Sequence, residues 1–284
     1  MKKIIITLFA ILPLIFLSCD NYNEDEFLTK LEGETSEQTE ITKTQTKQTV
    51  LLEDYTGWQC TNCTAAAALI KTLSEKYGDQ LLAMAVHAGP FAKPSANNNN
   101  LDLRTDYGTK WNKDFGIPSY PSGLINRVGS SSSRAFQKDD WDKEIQRQLS
   151  SLTHYVNINL GAKTDNTNKR FIISVKADFV ANVDFTTSIS VVILEDSIVG
   201  VQKNGLSEYG VTPQIDNYVF NHVLRTNGRI DLPFSSSSTS SGITISKNYF
   251  IDMSSSWNKS HCKALVFITN DKTKEIIQSN EIDL

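Results

Sequence analysis

The chain carries little excess charge of either sign and has only four His and four Cys. Lys and Arg number 28 against 32 Asp and Glu, a formal net charge of −4. No basic patch stands out, so a nucleic-acid partner is not expected. No Gly-rich phosphate loop, Ser–His–Asp arrangement or acidic metal-binding loop occurs. A single Cys-x-x-Cys without a second would leave a zinc site two ligands short, so neither a metal nor a cofactor is expected. There is no internal repeat. The longest apolar run, Ile4–Leu17, falls short of the ~20 residues that span a bilayer.

That run is an export signal in form. Lys2 and Lys3 precede it, and residues 1–19 read as a signal peptide. Phe16-Leu17-Ser18-Cys19 resembles a bacterial lipobox, in which the Cys is lipidated and becomes the mature N-terminus. The plainer alternative is an ordinary secretory signal followed by a stray Cys. Asp20-Asn21-Tyr22-Asn23-Glu24-Asp25-Glu26 resembles the signal that sorts lipoproteins of Bacteroides-type bacteria to the cell surface, or is only the solvated start of a tether. Residues 20–47, rich in Thr, Glu, Gln and Lys, bury too little apolar area to order themselves and are expected to be a disordered linker. The expected membrane contact is a lipid on Cys19.

The remainder is long enough for two domains, placed at 48–151 and 152–284. The first alternates strand and helix. Thr49–Tyr55 and Leu81–Ala88 read as buried strands, with a helix at Thr64–Tyr77 closed by Gly78. A second helix is expected around Leu101–Phe115 and a third at Asp139–Leu149, where Trp141, Ile145 and Leu149 share one face. The order suggests a βαβ unit with parallel strands.

Between the first strand and first helix lies Gly57-Trp58-Gln59-Cys60-Thr61-Asn62-Cys63. A Cys at a helix N-terminus gains thiolate character from the dipole and the unpaired N–H groups. In exported, oxidising surroundings the pair is expected to be a disulfide at rest. Once Cys19 is lipidated, Cys262 is left over at the start of an apolar strand, and reads as a small core residue. His87, at the end of a strand, either lines the site or is a hydrogen-bonded filler. Trp58 either covers the disulfide or simply packs. Arg127 either meets a ligand or makes a surface salt bridge. His222 and His261 read as structural.

Three features in chain order resemble the thioredoxin fold: the Cys pair opening a helix, Asp54 six residues before Cys60, and Phe115–Gly129 with Pro121 at the family's cis-proline position. The resemblance implies Cys60 as nucleophile, Cys63 as resolving thiol, Asp54 as proton relay, and Tyr120–Pro121 as the wall of a substrate groove. The sequence departs from the family pattern. Trp58 is not adjacent to Cys60, the intervening dipeptide is Thr-Asn, and the stretch from Cys63 to Pro121 is longer, as a lid would be.

A broader resemblance rests on Val50–Gly57, the Cys pair, His87-Ala88-Gly89-Pro90-Phe91, Pro121–Arg127 and Asn221-His222-Val223-Leu224-Arg225. These look like the outer-membrane-protein-twenty-eight-related family of Bacteroides-type lipoproteins. That resemblance implies an outer-membrane, lipid-anchored protein with a thioredoxin-like domain and a C-terminal β-domain.

From about residue 152, short apolar runs at Tyr155–Leu160, Phe171–Phe179, Ile189–Leu194, Tyr218–Leu224, Ile243–Phe250, Lys263–Thr269 and Ile276–Ile282 alternate with polar turns. They suggest an antiparallel β-sandwich. Asp196-Ser197-Ile198 matches a short O-glycosylation pattern. Two functions fit: thiol–disulfide exchange on exported proteins, or a non-enzymatic binding or adhesion lipoprotein braced by a structural disulfide.

Overall fold

The computed structural model describes residues 39–130, 133–235 and 238–284. The signal segment, Cys19 and the acidic stretch at 20–26 lie outside them. The chain is β-rich, with thirteen strands in three sheets and few helices among the described residues.

The first half is organised by β1 (Val50–Thr56), whose seven residues are all buried. A central strand covered on both faces reads as a continuous rather than alternating apolar run. β1 pairs in parallel with β2 (Leu81–His87) and antiparallel with β3 (Ser122–Ile125); the two-residue β4 (Ala135–Phe136), not anticipated, pairs with β3. Helix α1 (Cys63–Tyr77) crosses between β1 and β2. Its alanines favour helix, and Gly78 stops it at φ +54, donating its backbone N–H to the Ser74 carbonyl. Ala66, Ile70 and Leu73 of α1 share a core with Val50, Leu52, Ala83 and Ile125. Helix α3 (Trp141–Ser151) joins that core through Trp141 and Ile145, with Leu149 packed at its edge, as the i, i+4, i+8 spacing predicts.

Helix α2 (Asp106–Asp114) is shorter than expected. The Thr105 hydroxyl accepts from the Gly108 N–H at 2.9 Å and fixes the start. Residues ahead of it are extended, and Arg104 bridges to His87. Trp111 of α2 packs on the opposite face of β1, with Leu51 and Tyr55.

The second half supplies β5 (Val156–Asp165), β6 (Arg170–Phe179), β7 (Thr187–Glu195), β8 (Ile198–Lys203), β9 (Gln214–Phe220), β10 (Val223–Ser235), β11 (Thr244–Asp252), β12 (Cys262–Asn270) and β13 (Ile276–Asp283). The pairing β11-β6-β5 forms a three-stranded sheet, and it encloses a core with the β13-β12-β7-β10 strands, built from residues such as Phe171, Ile173, Val191, Ile193, Tyr249 and Val266. Those four strands do not end at the expected boundary near 151. They continue into the first half as one eight-stranded sheet, β13-β12-β7-β10-β2-β1-β3-β4. The join is parallel, Val223 against Ala85, with the Ala85 N–H donating to the His222 carbonyl at 2.8 Å. Leu51, Tyr55 and Trp111 therefore share a core with Val192, Leu265 and Phe267.

Two further expectations change. The run Tyr218–Leu224 is not one strand: His222, at φ +56, turns the chain from β9 into β10. Part of the expected tether is also fixed. Lys43 bridges to Leu160 of β5, Gln45 exchanges hydrogen bonds with Asn159 and Ile158, and its amide donates to the Ser279 carbonyl at 2.7 Å. Polar side chains thus pin residues 39–47 where apolar content alone predicts disorder.

Candidate functional site

β1 ends at Thr56, and the next residues form the Cys turn. Cys60 and Cys63 are joined as a disulfide. The Cys60 N–H donates to the Gly57 carbonyl at 3.0 Å, and Cys63 is the first residue of α1. The expectation that the first sulfur sits on the helix end is therefore displaced by one turn. Asn62 precedes the helix without a side-chain cap, and the dipole acts mainly within the first turn. It favours Cys63 more than Cys60.

The Tyr120–Pro121 bond is cis. β1 and β3 bring it to the same end of the sheet, because Tyr55 pairs with Ser122. Phe91 links the two: its carbonyl accepts from the Gln59 N–H at 3.0 Å, and its ring meets Tyr120 edge-on at 5.8 Å. The Tyr120 hydroxyl donates to Asn112 Oδ1 at 2.5 Å. Pro121 is buried and Ser119 exposed.

Both sulfur-bearing residues are covered: Cys60 is 4% and Cys63 3% exposed. The stretch between Cys63 and Pro121, expected to act as a lid, contributes only part of the cover, through Lys93. Trp58 is buried and donates its indole N–H to the Lys93 carbonyl at 2.7 Å. The rest comes from the β8–β9 hairpin of the second half. Gln202 Nε2 donates to the Cys60 carbonyl at 2.9 Å. The Lys203 N–H donates to Trp58 at 2.7 Å, and the Gly205 N–H to Thr61 at 2.9 Å. The Thr64 hydroxyl donates to Asn204 Oδ1 at 2.9 Å. Sequence reasoning missed Gln202 and Asn204. The only local signal is the polar run Gln202-Lys203-Asn204-Gly205 closing an otherwise apolar strand.

Asp54 is 3% exposed and points from β1 to the α1 side of the sheet. Burial pushes its pKa up to about 7. Its Oδ1 has no hydrogen-bond partner. It shares the wall of a cleft of about 800 Å³ with Thr64, the neighbour of Cys63. Tyr218, in the same wall, is raised to about 12 by burial and by Asp54.

Three remaining expectations resolve clearly. His87 is buried edge-on against Phe220 at 5.3 Å, and burial, aided by Arg225, lowers its pKa to about 3. It is neutral and supplies no positive charge to a thiolate. Arg127 does not make a surface salt bridge. It is 1% exposed and grips Glu53 through two hydrogen bonds of 2.6 and 2.7 Å, stacked among Trp111, Phe115 and Phe267. The two left-handed residues Asn126 and Arg127 aim it inward, and Asn126 Oδ1 accepts from the Leu51 N–H. Cys262 is a buried strand residue whose thiol burial pushes up to about 12. Among the described residues no group of three or more His, Cys, Asp and Glu side chains converges as a metal site would require, and no helix is long and apolar enough to cross a membrane.

The fold is similar to that of HBP35 of Porphyromonas gingivalis, with a TM-score of 0.55 and 16% identity over 85% of this chain and 77% of that one. A crystal structure of a protein from Agrobacterium tumefaciens matches at a TM-score of 0.50 and 10% identity, over 84% of this chain and 95% of that one. A domain of the outer membrane lipoprotein Omp28 from Porphyromonas gingivalis aligns with 47% of this chain and 92% of its own length, at 14% identity and a TM-score of 0.28. No curated protein matches the chain. Residues 109–283 match the family described as outer membrane protein Omp28. That stretch includes Pro121, Arg127 and the β8–β9 hairpin but not the Cys pair. It is more than half of the 284 residues, and the chain belongs to the outer membrane protein Omp28 family.

Proposed function

We propose that this protein is a lipid-anchored outer-membrane binding protein, built on a thioredoxin-like module (48–151) and a β-sandwich module (152–284), in which the Cys60–Cys63 disulfide is a brace. Family membership supports the outer-membrane location. The strand order β2-β1-β3-β4, with α1 and α3 on one face and a cis-proline ahead of β3, supports the thioredoxin-like assignment. Lipidation of Cys19 and display on the cell surface rest on the lipobox and on the acidic stretch after it.

The observation that carries the bracing reading is the cover on Cys60. A sulfur that attacks or is attacked by another protein must be reached, and this residue is only 4% exposed, with Gln202 of the β8–β9 hairpin bonded to its carbonyl. The decisive experiment measures native-state reduction with dithiothreitol alongside insulin reduction. Expected is a disulfide that yields only as the chain unfolds, and no turnover of insulin. Fast native-state reduction with catalysed insulin turnover would overturn the reading.

One observation favours thiol–disulfide exchange as the second reading: the buried, partnerless Asp54 on the α1 side of the sheet. In that reaction reduced Cys60 attacks a substrate disulfide and one substrate thiolate leaves. Cys63, deprotonated by Asp54, then displaces the second substrate sulfur from Cys60. The substrate disulfide is reduced to two thiols, and the Cys pair is oxidised to its disulfide.

A further inference from the structure

We propose that the cleft between α1 and the β8–β9 hairpin binds a small organic cation with an apolar body, its cationic head meeting the Asp54 carboxylate. This deepens the binding reading, on which it rests only for its biological sense.

Asp54 of β1 lines the cleft and is buried. Its cross-strand neighbour in β2 is Ala85, and Ala83 lies one step further along the same face. Neither methyl group can reach the carboxyl. On the helix side Ala67 and Ala68 are equally short. Small side chains on both walls thus leave an open volume of about 800 Å³ above a buried acid. Asp54 Oδ1 sits in it with no donor. A buried polar atom left unpaired is unfavourable, so a ligand that supplies a donor starts with an advantage. A cationic donor adds charge pairing in surroundings where solvent screens little.

The rim agrees with that sign. Glu75 and Glu208 are exposed there, against Lys71 and a half-buried His222. Tyr218 and Tyr209, which also line the cleft, hold their protons at neutral pH. An anionic head would meet a buried acid; a neutral alcohol would satisfy the hydrogen bond without the charge. Ile70, Val219 and the Tyr218 ring line the space between floor and rim and suit an apolar body.

The test compares 4-phenylbutylamine with 4-phenylbutan-1-ol, matched in length, by calorimetry on the full mature chain. Expected is at least tenfold tighter binding of the amine, a preference lost in Asp54→Asn and kept in the Cys60→Ser/Cys63→Ser protein. Ala68→Trp, which adds bulk on a half-buried helix position, should block both probes even if Asp54→Asn fails to fold. Equal affinity for the two probes, no measurable amine binding at millimolar concentration, or an amine preference that survives Asp54→Asn or Ala68→Trp would each overturn the proposal. Insulin turnover by the same protein would sink the bracing reading while leaving the amine preference intact, so the two failures are distinguishable.

Discussion

Glu53 and Asp54 are consecutive carboxylates on β1 that face opposite sides of the sheet, and only the first has a cation. Glu53 receives two hydrogen bonds from Arg127, at 2.6 and 2.7 Å. Asp54 Oδ1 receives none. Removing one partner of a buried ion pair leaves an uncompensated charge, at a cost of about 3–5 kcal/mol. Arg127→Met should therefore lower stability by about that much in urea titration. The double variant Glu53→Leu/Arg127→Met should recover a large part of the loss, since a buried pair replaced by apolar groups of similar volume is often neutral. A double variant as unstable as Arg127→Met would show that Arg127 matters chiefly through its aromatic stacking.

The second prediction concerns pH, and its two contributors oppose each other. The folded chain holds the Asp54 proton up to about pH 7, whereas the unfolded chain releases it in the ordinary carboxylate range. The stability it contributes is fully present at low pH and is lost as pH rises through about 7. His87 runs the other way. Its folded pKa is about 3 against an ordinary 6.5, so stability is lost as pH falls below about 6.5. Between pH 4 and 6.5 the two slopes cancel, each worth up to about 1.4 kcal/mol per pH unit. Asp54→Asn should gain on the wild type as pH rises through that window, and His87→Gln should gain as pH falls. Thermal unfolding at constant ionic strength reads both. Parallel profiles for the two variants would refute the assignment.

Gly57 is a third, independent test of the site's packing. A Cβ there would lie 2.5 Å from the carbonyl carbon of Phe91 and 2.7 Å from the nitrogen of Ala92. These are backbone atoms and cannot swing aside. Gly57→Ala should cost about 1–3 kcal/mol, the usual range for overpacking. It should also loosen the 89–93 segment that receives the Gln59 and Trp58 hydrogen bonds, so native-state reduction of the disulfide should quicken in parallel. Unchanged stability would mean that this segment is not held against the Cys turn.

Much of this was legible in the sequence, for local reasons. The runs Val50–Tyr55 and Leu81–His87 are apolar because both faces are covered, and Trp141, Ile145 and Leu149 mark one helix face. The resemblance to the thioredoxin fold implied that the Cys turn and Pro121 lie together, and the pairing of Tyr55 with Ser122 puts both at one end of the sheet. What stayed hidden depends on contacts distant in sequence. Nothing around Gln202 announces a bond to Cys60, 142 residues earlier. Nothing at Val223 announces that β10 joins β2 and fuses two expected sheets into one. Arg127 looks like a surface residue until Asn126 and its own left-handed backbone turn it inward.

The last prediction separates the disulfide's contribution to stability from its concealment. Cys60 and Cys63 close a loop with a sequence separation of only 3. For so small a loop the entropic gain is about 2 kcal/mol. Cys60→Ser/Cys63→Ser should lose about that much and remain folded, because the hairpin contacts from Gln202, Lys203 and Gly205 are made largely to backbone atoms that the substitution keeps. Gln202→Ala is the converse. It retains the disulfide but removes the donor to the Cys60 carbonyl and leaves that buried acceptor without it. Its stability should fall by about 1–3 kcal/mol, and dithiothreitol should reduce the pair under native conditions several times faster than in the wild type. If instead the wild-type disulfide reduces as fast as that of Gln202→Ala, the β8–β9 hairpin does not guard the Cys turn, and exchange chemistry becomes the better account of the pair.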